Sequence, residues 1–183
     1  MYRKHHAIAA FIVTVILYVI ILYVNLGIEF PNPVSAALFG GIVGGILCDW
    51  DLIFLKEGEH RHGVFHSSLI AIIIFTGYLF DSMYLGLSFQ WMFLYVGMGI
   101  HLLLDLLPTT IPTEYNQSFW KRWQYRWMRF SQGKVGGKII TPFGITTNRR
   151  RRYWLIINAF ICFALAIATY WILKTGFVIV RPW

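Results

Sequence analysis

The sequence predicts an all-α integral membrane protein, with about five transmembrane helices and one cytoplasmic interfacial amphipathic helix, on three observations. Of its 183 residues 57% are hydrophobic and only 13% charged, too apolar for an ordinary water-soluble domain. The apolar residues fall in long runs, several near the roughly 20 residues needed for a helical crossing. Most of the cations lie between the runs, 10 of the 16 Lys and Arg within residues 121–152. One membrane domain over residues 1–183 is the expected organisation, with the oligomeric state left open.

The first run, residues 7–24 (AIAAFIVTVILYVIILYV), follows Arg3 and Lys4 as a signal peptide would. It is longer than a typical signal core, and NLGIEFPNP after it lacks a small-residue cleavage pattern, so a retained helix is expected. Residues 34–48 are shorter and carry Gly40, Gly41, Gly44 and Gly45, a small-residue face that permits close helix packing in lipid. Residues 64–80, 89–107 and 153–173 complete five crossings. Counted this way, 14 of the 16 Lys and Arg residues lie on the side where the chain starts, leaving Lys174 and Arg181 opposite. The positive-inside rule then makes the N-terminus cytoplasmic and the chain a multi-pass protein of the cytoplasmic (inner) membrane.

Residues 108–152 form the long cytoplasmic segment. In FWKRWQYRWMRF, Trp120, Trp123, Trp127 and Phe130 recur at helical spacing with Lys121, Arg122, Arg126 and Arg129 between them. Such a helix suits the anionic headgroup layer of a bilayer. GKVGGKIITPFGITT reads as a turn and short hairpin without phosphate-loop spacing, and RRRR at 149–152 as a topology anchor beside the last helix. Basic runs alone give nucleic-acid binding little weight. Cys48 and Cys162 both lie in apolar runs and suggest neither a disulfide framework nor a thiolate metal site.

Against this background CDWDLIFLKEGEHRHGVFHSSL places Asp49, Asp51, His60, His62 and His66 close together. In GMGIHLLLDLLP, His101 and Asp105 stand i, i+4 on one helix face. His62 and His66 share that spacing if the third helix starts early. Each group has a bland explanation: helix termination for the aspartates, interfacial packing for the histidines, an internal hydrogen bond for His101 with Asp105. Their convergence on one membrane face is better explained by a divalent metal, since ionisable groups in membranes are costly and need partners. Nitrogen and oxygen donors without thiolates suit Zn first, with Mn or Fe as alternatives. A metal so held brings water toward a pKa of about 7.

The segments ILCDWD, HRHGVFHSSL and GIHLLLDLLPTTIP resemble the YdjM-like membrane-bound metal-dependent hydrolases over residues 1–115. That family is in turn similar to the zinc-dependent phospholipases C. The resemblance implies Asp51, His66, His101 and Asp105 as metal ligands, with His6, or less favourably His5, serving a second metal shared through Asp105. It also implies a phospholipid or lipid-linked phosphate substrate. In that reading Asp49 is an orienting group or general base, His60 or His62 a proton donor or further ligand, and Arg61 a phosphate-neutralising cation. The chain departs from the family pattern at Cys48, where a proline is usual, in a His-Arg segment one residue longer, and in having no histidine after His101. One metal, or at most two, is what these residues support. The rival expectations are a metal-binding membrane protein without catalysis, such as a sensor or transporter subunit, and a scaffold that recruits a soluble partner through residues 115–152.

Overall fold

A computed structural model describes residues 3–23, 38–50, 66–80, 88–107, 111–116, 118–133, 140–141, 144–145 and 148–175. Nearly all the regular structure is helical. Helix α1 is Arg3–Tyr23. A π-turn at Phe39–Val43 leads into α2, Gly44–Leu47, which tightens into a 3-10 turn at Cys48–Trp50. Helix α3 is Leu69–Phe80 and α4 is Ser88–Leu104. After a 3-10 turn at Thr113–Tyr115 come α5, Phe119–Ser131, and α6, Asn148–Thr175. Between the last two, strands β1 (Ile140–Thr141) and β2 (Gly144–Ile145) pair antiparallel, Ile140 opposite Ile145.

Helix α4 is the centre: residues 92–99 are buried without interruption, which a helix reaches only when neighbours cover it all round. The glycines of the second segment explain how they come so close. Gly40 and Gly44 turn toward α4 and Gly41 and Gly45 toward α1, while a Cβ on Gly97 of α4 would stand 2.7 Å from the Gly40 carbonyl oxygen. A side chain at any of these positions would separate the backbones. Helix α6 lies along α4 as well, with the ring of Phe163 filling the space above Gly99.

Large apolar side chains point outward: Ile8, Ile12, Ile16 and Val19 on α1, Ile72 and Ile73 on α3, Tyr153, Ile157, Phe160, Ile167 and Trp171 on α6. Polar ones point inward, among them Thr14, Ser67, Ser68, Asn158 and Thr169. This inside-out distribution is unfavourable in water and natural in lipid. Among the described residues one helix, Arg149–Thr175, is by itself long and apolar enough to cross a bilayer. The shorter apolar helices within His6–Ile21, Gly40–Trp50, Leu69–Leu79 and Gln90–Leu104 coincide with the other expected crossings.

Two boundaries differ from expectation. The third helix begins at Leu69 rather than at residue 64, because Ser67 Oγ accepts a hydrogen bond from the Leu69 amide at 3.2 Å and Ser68 O accepts from Ile72 N at 2.8 Å. Hydroxyl and carbonyl acceptors thus start the helix after His66, which stands in a turn. The four arginines 149–152 do not precede the last helix but form its first turn, with Arg151 buried and the Arg152 guanidinium 4.4 Å from the centre of the Phe130 ring.

Candidate metal centre

Five side chains from four segments meet at one end of the bundle: His6 near the start of α1, Asp49 in the turn after α2, His66 in the turn before α3, His101 in the last turn of α4 and Asp105 just beyond it. None is more than 3% exposed. Chain starts and chain ends alternate in this meeting, so successive helices run in opposite directions, as an up-and-down bundle requires.

Each carboxylate faces all three imidazoles. Asp105 stands 3.2 Å from His66 Nε2, 3.5 Å from His101 Nε2 and 3.8 Å from His6 Nε2. Asp49 stands 3.6 Å from His101 Nε2, 3.9 Å from His66 Nε2 and 4.0 Å from His6 Nδ1. The rings of His6 and His101 meet edge to face with centroids 4.1 Å apart.

The tautomer of His101 is set by its backbone partner. Its Nδ1 lies 2.7 Å from the Gly45 carbonyl oxygen, which can only accept, so Nδ1 carries the proton and donates. In neutral His101 the Nε2 lone pair therefore points at two carboxylate oxygens. That arrangement is unfavourable unless Nε2 is itself protonated, takes a proton donated by His6 Nδ1 at 3.3 Å, or faces a cation standing between the groups. Backbone-oriented imidazole with its second nitrogen turned to acidic groups is also how proteins present histidine to a metal. The close approach of α2 is what brings the Gly45 carbonyl within reach, so the glycine packing and the site share one cause.

The donor set fits a divalent ion. Ligands at Zn-type bond lengths of 2.0–2.2 Å stand about 3.3–3.6 Å apart in a tetrahedron. His66 Nε2, His101 Nε2, Asp49 Oδ1 and Asp105 Oδ2 are related by separations of 3.2, 3.5, 3.6 and 3.9 Å. Two carboxylates offset the charge of a divalent ion, and sulfur is absent from the set. Two triads each have ligand atoms within 4.8 Å of one another, Asp49 with His66 and His101, and His6 with His101 and Asp105; they share His101, and His6 approaches Asp105 through its other oxygen, Oδ1.

Of the nine residues singled out from sequence, the structure gathers His6, Asp49, His66, His101 and Asp105. Asp51, His60, Arg61 and His62 lie outside the described residues. Asp49, expected to orient or to act as a base, stands among the donor atoms themselves. Sequence reasoning missed the device that holds His66. Trp154 Nε1 on α6 donates to the His66 carbonyl at 2.9 Å, and Asn158 Oδ1 accepts from both the amide and the hydroxyl of Ser68 at 2.8 and 2.9 Å. Asn158 is braced in turn by donating to Trp154 O at 2.8 Å. The available signal was a single amide in the apolar run YWLIINAFICF, where an uncompensated polar group is expensive.

A family model, that of the YdjM inner membrane protein, matches residues 1–175. The chain belongs to this family and is a membrane protein. Comparison with curated proteins and with solved structures finds no match.

Proposed function

We propose that this member of the YdjM inner membrane protein family is a metal-dependent hydrolase that cleaves a phosphoester of a phospholipid or lipid-linked substrate at the cytoplasmic face. The observation that carries the reading is the buried cluster in which His66 Nε2 and His101 Nε2 each stand 3.2 to 3.9 Å from an oxygen of Asp49 and of Asp105. His66, His101, Asp49 and Asp105 hold the ion, with Zn favoured by the donor chemistry and Mn or Fe as alternatives. His6 is placed to hold a second ion through Asp105 Oδ1. A divalent ion there supplies positive charge for a phosphoryl oxygen and acidifies water.

The chain's own residues do the rest. Gly45 O fixes the His101 ring, and the α6 amide and indole fix the turn that carries His66. Asp51 is kept as a further ligand, Arg61 is assigned to phosphate neutralisation, and His60 or His62 to proton donation. Five crossings with the N-terminus inside accord with the cation bias and with the alternation of helix direction at the site.

One observation favours a second reading. Donors buried to 3% or less suit a closed structural site as well as an open catalytic one, so a metal-binding protein without turnover is the rival. Elemental analysis of the purified protein and a phosphodiesterase assay on lipid phosphates in nanodiscs separate them. The hydrolase reading expects stoichiometric metal, turnover abolished by a chelator, and loss of both in His101→Ala. Stoichiometric metal without turnover on any lipid phosphate leaves only the rival, and absence of metal removes both.

A further inference from the structure

We infer that α5 is a docking element for anionic lipid, lying in the headgroup layer at the end of the bundle where the His and Asp side chains meet. The inference stands on a surface apart from the candidate metal centre and holds whether or not that centre is catalytic.

The helix is two-sided. At 100° per residue, Phe119, Phe130, Trp123, Trp127 and Trp120 fall within about 100° of arc, Lys121, Tyr125, Arg129 and Arg122 occupy the other side, and Arg126 borders the aromatic arc next to Phe119. Residues 118–133 contain no acid. Trp120 is 75% exposed, and Phe119, Trp127 and Met128 are also exposed, too much apolar surface to leave in water on a helix that no other long element covers among the described residues. Burial, and to a smaller extent the neighbouring Arg122, lower the Arg126 pKa from its ordinary value.

Placement selects the partner. The chain enters this segment from the end of α4 and leaves it into the start of α6, so both attachments are at the cluster end. Phe130 packs against the hydrophobic core, and Arg152 in the first turn of α6 covers its ring. The helix is therefore held beside the point where the longest apolar helix begins, which in a membrane protein is the depth of the headgroups. Indoles favour that layer, and cations on the other arc meet lipid phosphate. A duplex nucleic acid would use the cations but leave the exposed indole arc unexplained, and a single strand would need indoles and cations on one face, where here they lie mostly on different arcs.

Hydrogen exchange of the full-length protein in nanodiscs tests this. Amides of α5 are expected to exchange more slowly in discs containing phosphatidylglycerol than in pure phosphatidylcholine, and the difference is expected to vanish in high salt. Each cation near an anionic surface shifts binding about fivefold, so Arg122→Gln with Arg126→Gln reduces the difference by roughly thirtyfold. Glutamine keeps helix propensity, and the comparison of the two lipids on wild-type protein decides the matter even if the variant misfolds. Equal exchange in both lipids overturns the inference, as does an undiminished difference in the double variant. Saturable binding of RNA or duplex DNA at physiological salt, lost in the same variant, would overturn it in favour of a nucleic-acid surface.

Discussion

At the scale of single residues, the candidate centre depends on side chains that are not themselves donors. Asn158 illustrates this: its amide oxygen takes both hydrogen bonds that Ser68 offers, and its amide nitrogen ties back to Trp154, whose indole holds the His66 carbonyl. Asn158→Ala leaves the buried Ser68 amide unpaired, a cost of about 1–3 kcal/mol. It also frees the turn that aims His66, and loss of such a supporting contact lowers metal affinity by about 10- to 100-fold. Metal titration alongside thermal melting checks both. A lowered melting temperature with unchanged affinity would reduce Asn158 to a purely structural role. The same residue shows what sequence could reveal. His101 and Asp105 announce themselves by i, i+4 spacing, whereas Asn158 acts on a turn 90 residues away, and nothing in its own neighbourhood names that target.

At the scale of elements, hydropathy located the helices, but side-chain acceptors set where they begin. Residues 64–80 read as one apolar run, yet Ser67 and Ser68 delay helix α3 until Leu69, and that delay leaves His66 in a turn from which it reaches both carboxylates. Glycine spacing was legible as a packing face. Which glycine meets which helix was not, because that depends on the rotation of three helices about their axes. The consequence is testable with two contrasting substitutions. A Cβ on Gly44 would run into the Leu94 carbonyl oxygen, so Gly44→Val forces α2 from α4 and destabilises by about 1–3 kcal/mol. Because Gly45 O orients His101, metal affinity is expected to fall in the same variant. Gly77 has nothing within 4 Å of its added Cβ, so Gly77→Ala is expected to be neutral or to gain up to about 1 kcal/mol from helix propensity. Denaturation and metal titration on both variants check the contrast, and equal effects would mean that glycine content rather than close helix approach matters.

At the scale of the whole molecule, the polar cluster, the basic helix and the four arginines of α6 share one end, while Lys174 stands near the other end of α6. The distribution of charge in the sequence already pointed to this polarity. Counting crossings along the sequence also gave an alternation of helix direction, and in the structure His6 and His66 enter the site from helix starts while Asp49 and Asp105 enter from helix ends. Under the positive-inside rule the proposed arrangement has a definite sidedness that experiment can check: cations on the cytoplasmic side, and the far end of α6 on the outer face of the inner membrane. Cysteine labelling tests it, since Cys48 and Cys162 are both fully buried and give little background. Lys174→Cys is expected to react with a membrane-impermeant maleimide in spheroplasts. Trp120→Cys is expected to react only once the membrane is opened or inverted. Reaction of both from the same side would break the alternation and with it the placement of the site at the inner leaflet. Reversed labelling would keep the bundle but turn the site outward, where a cytoplasmic substrate could not reach it.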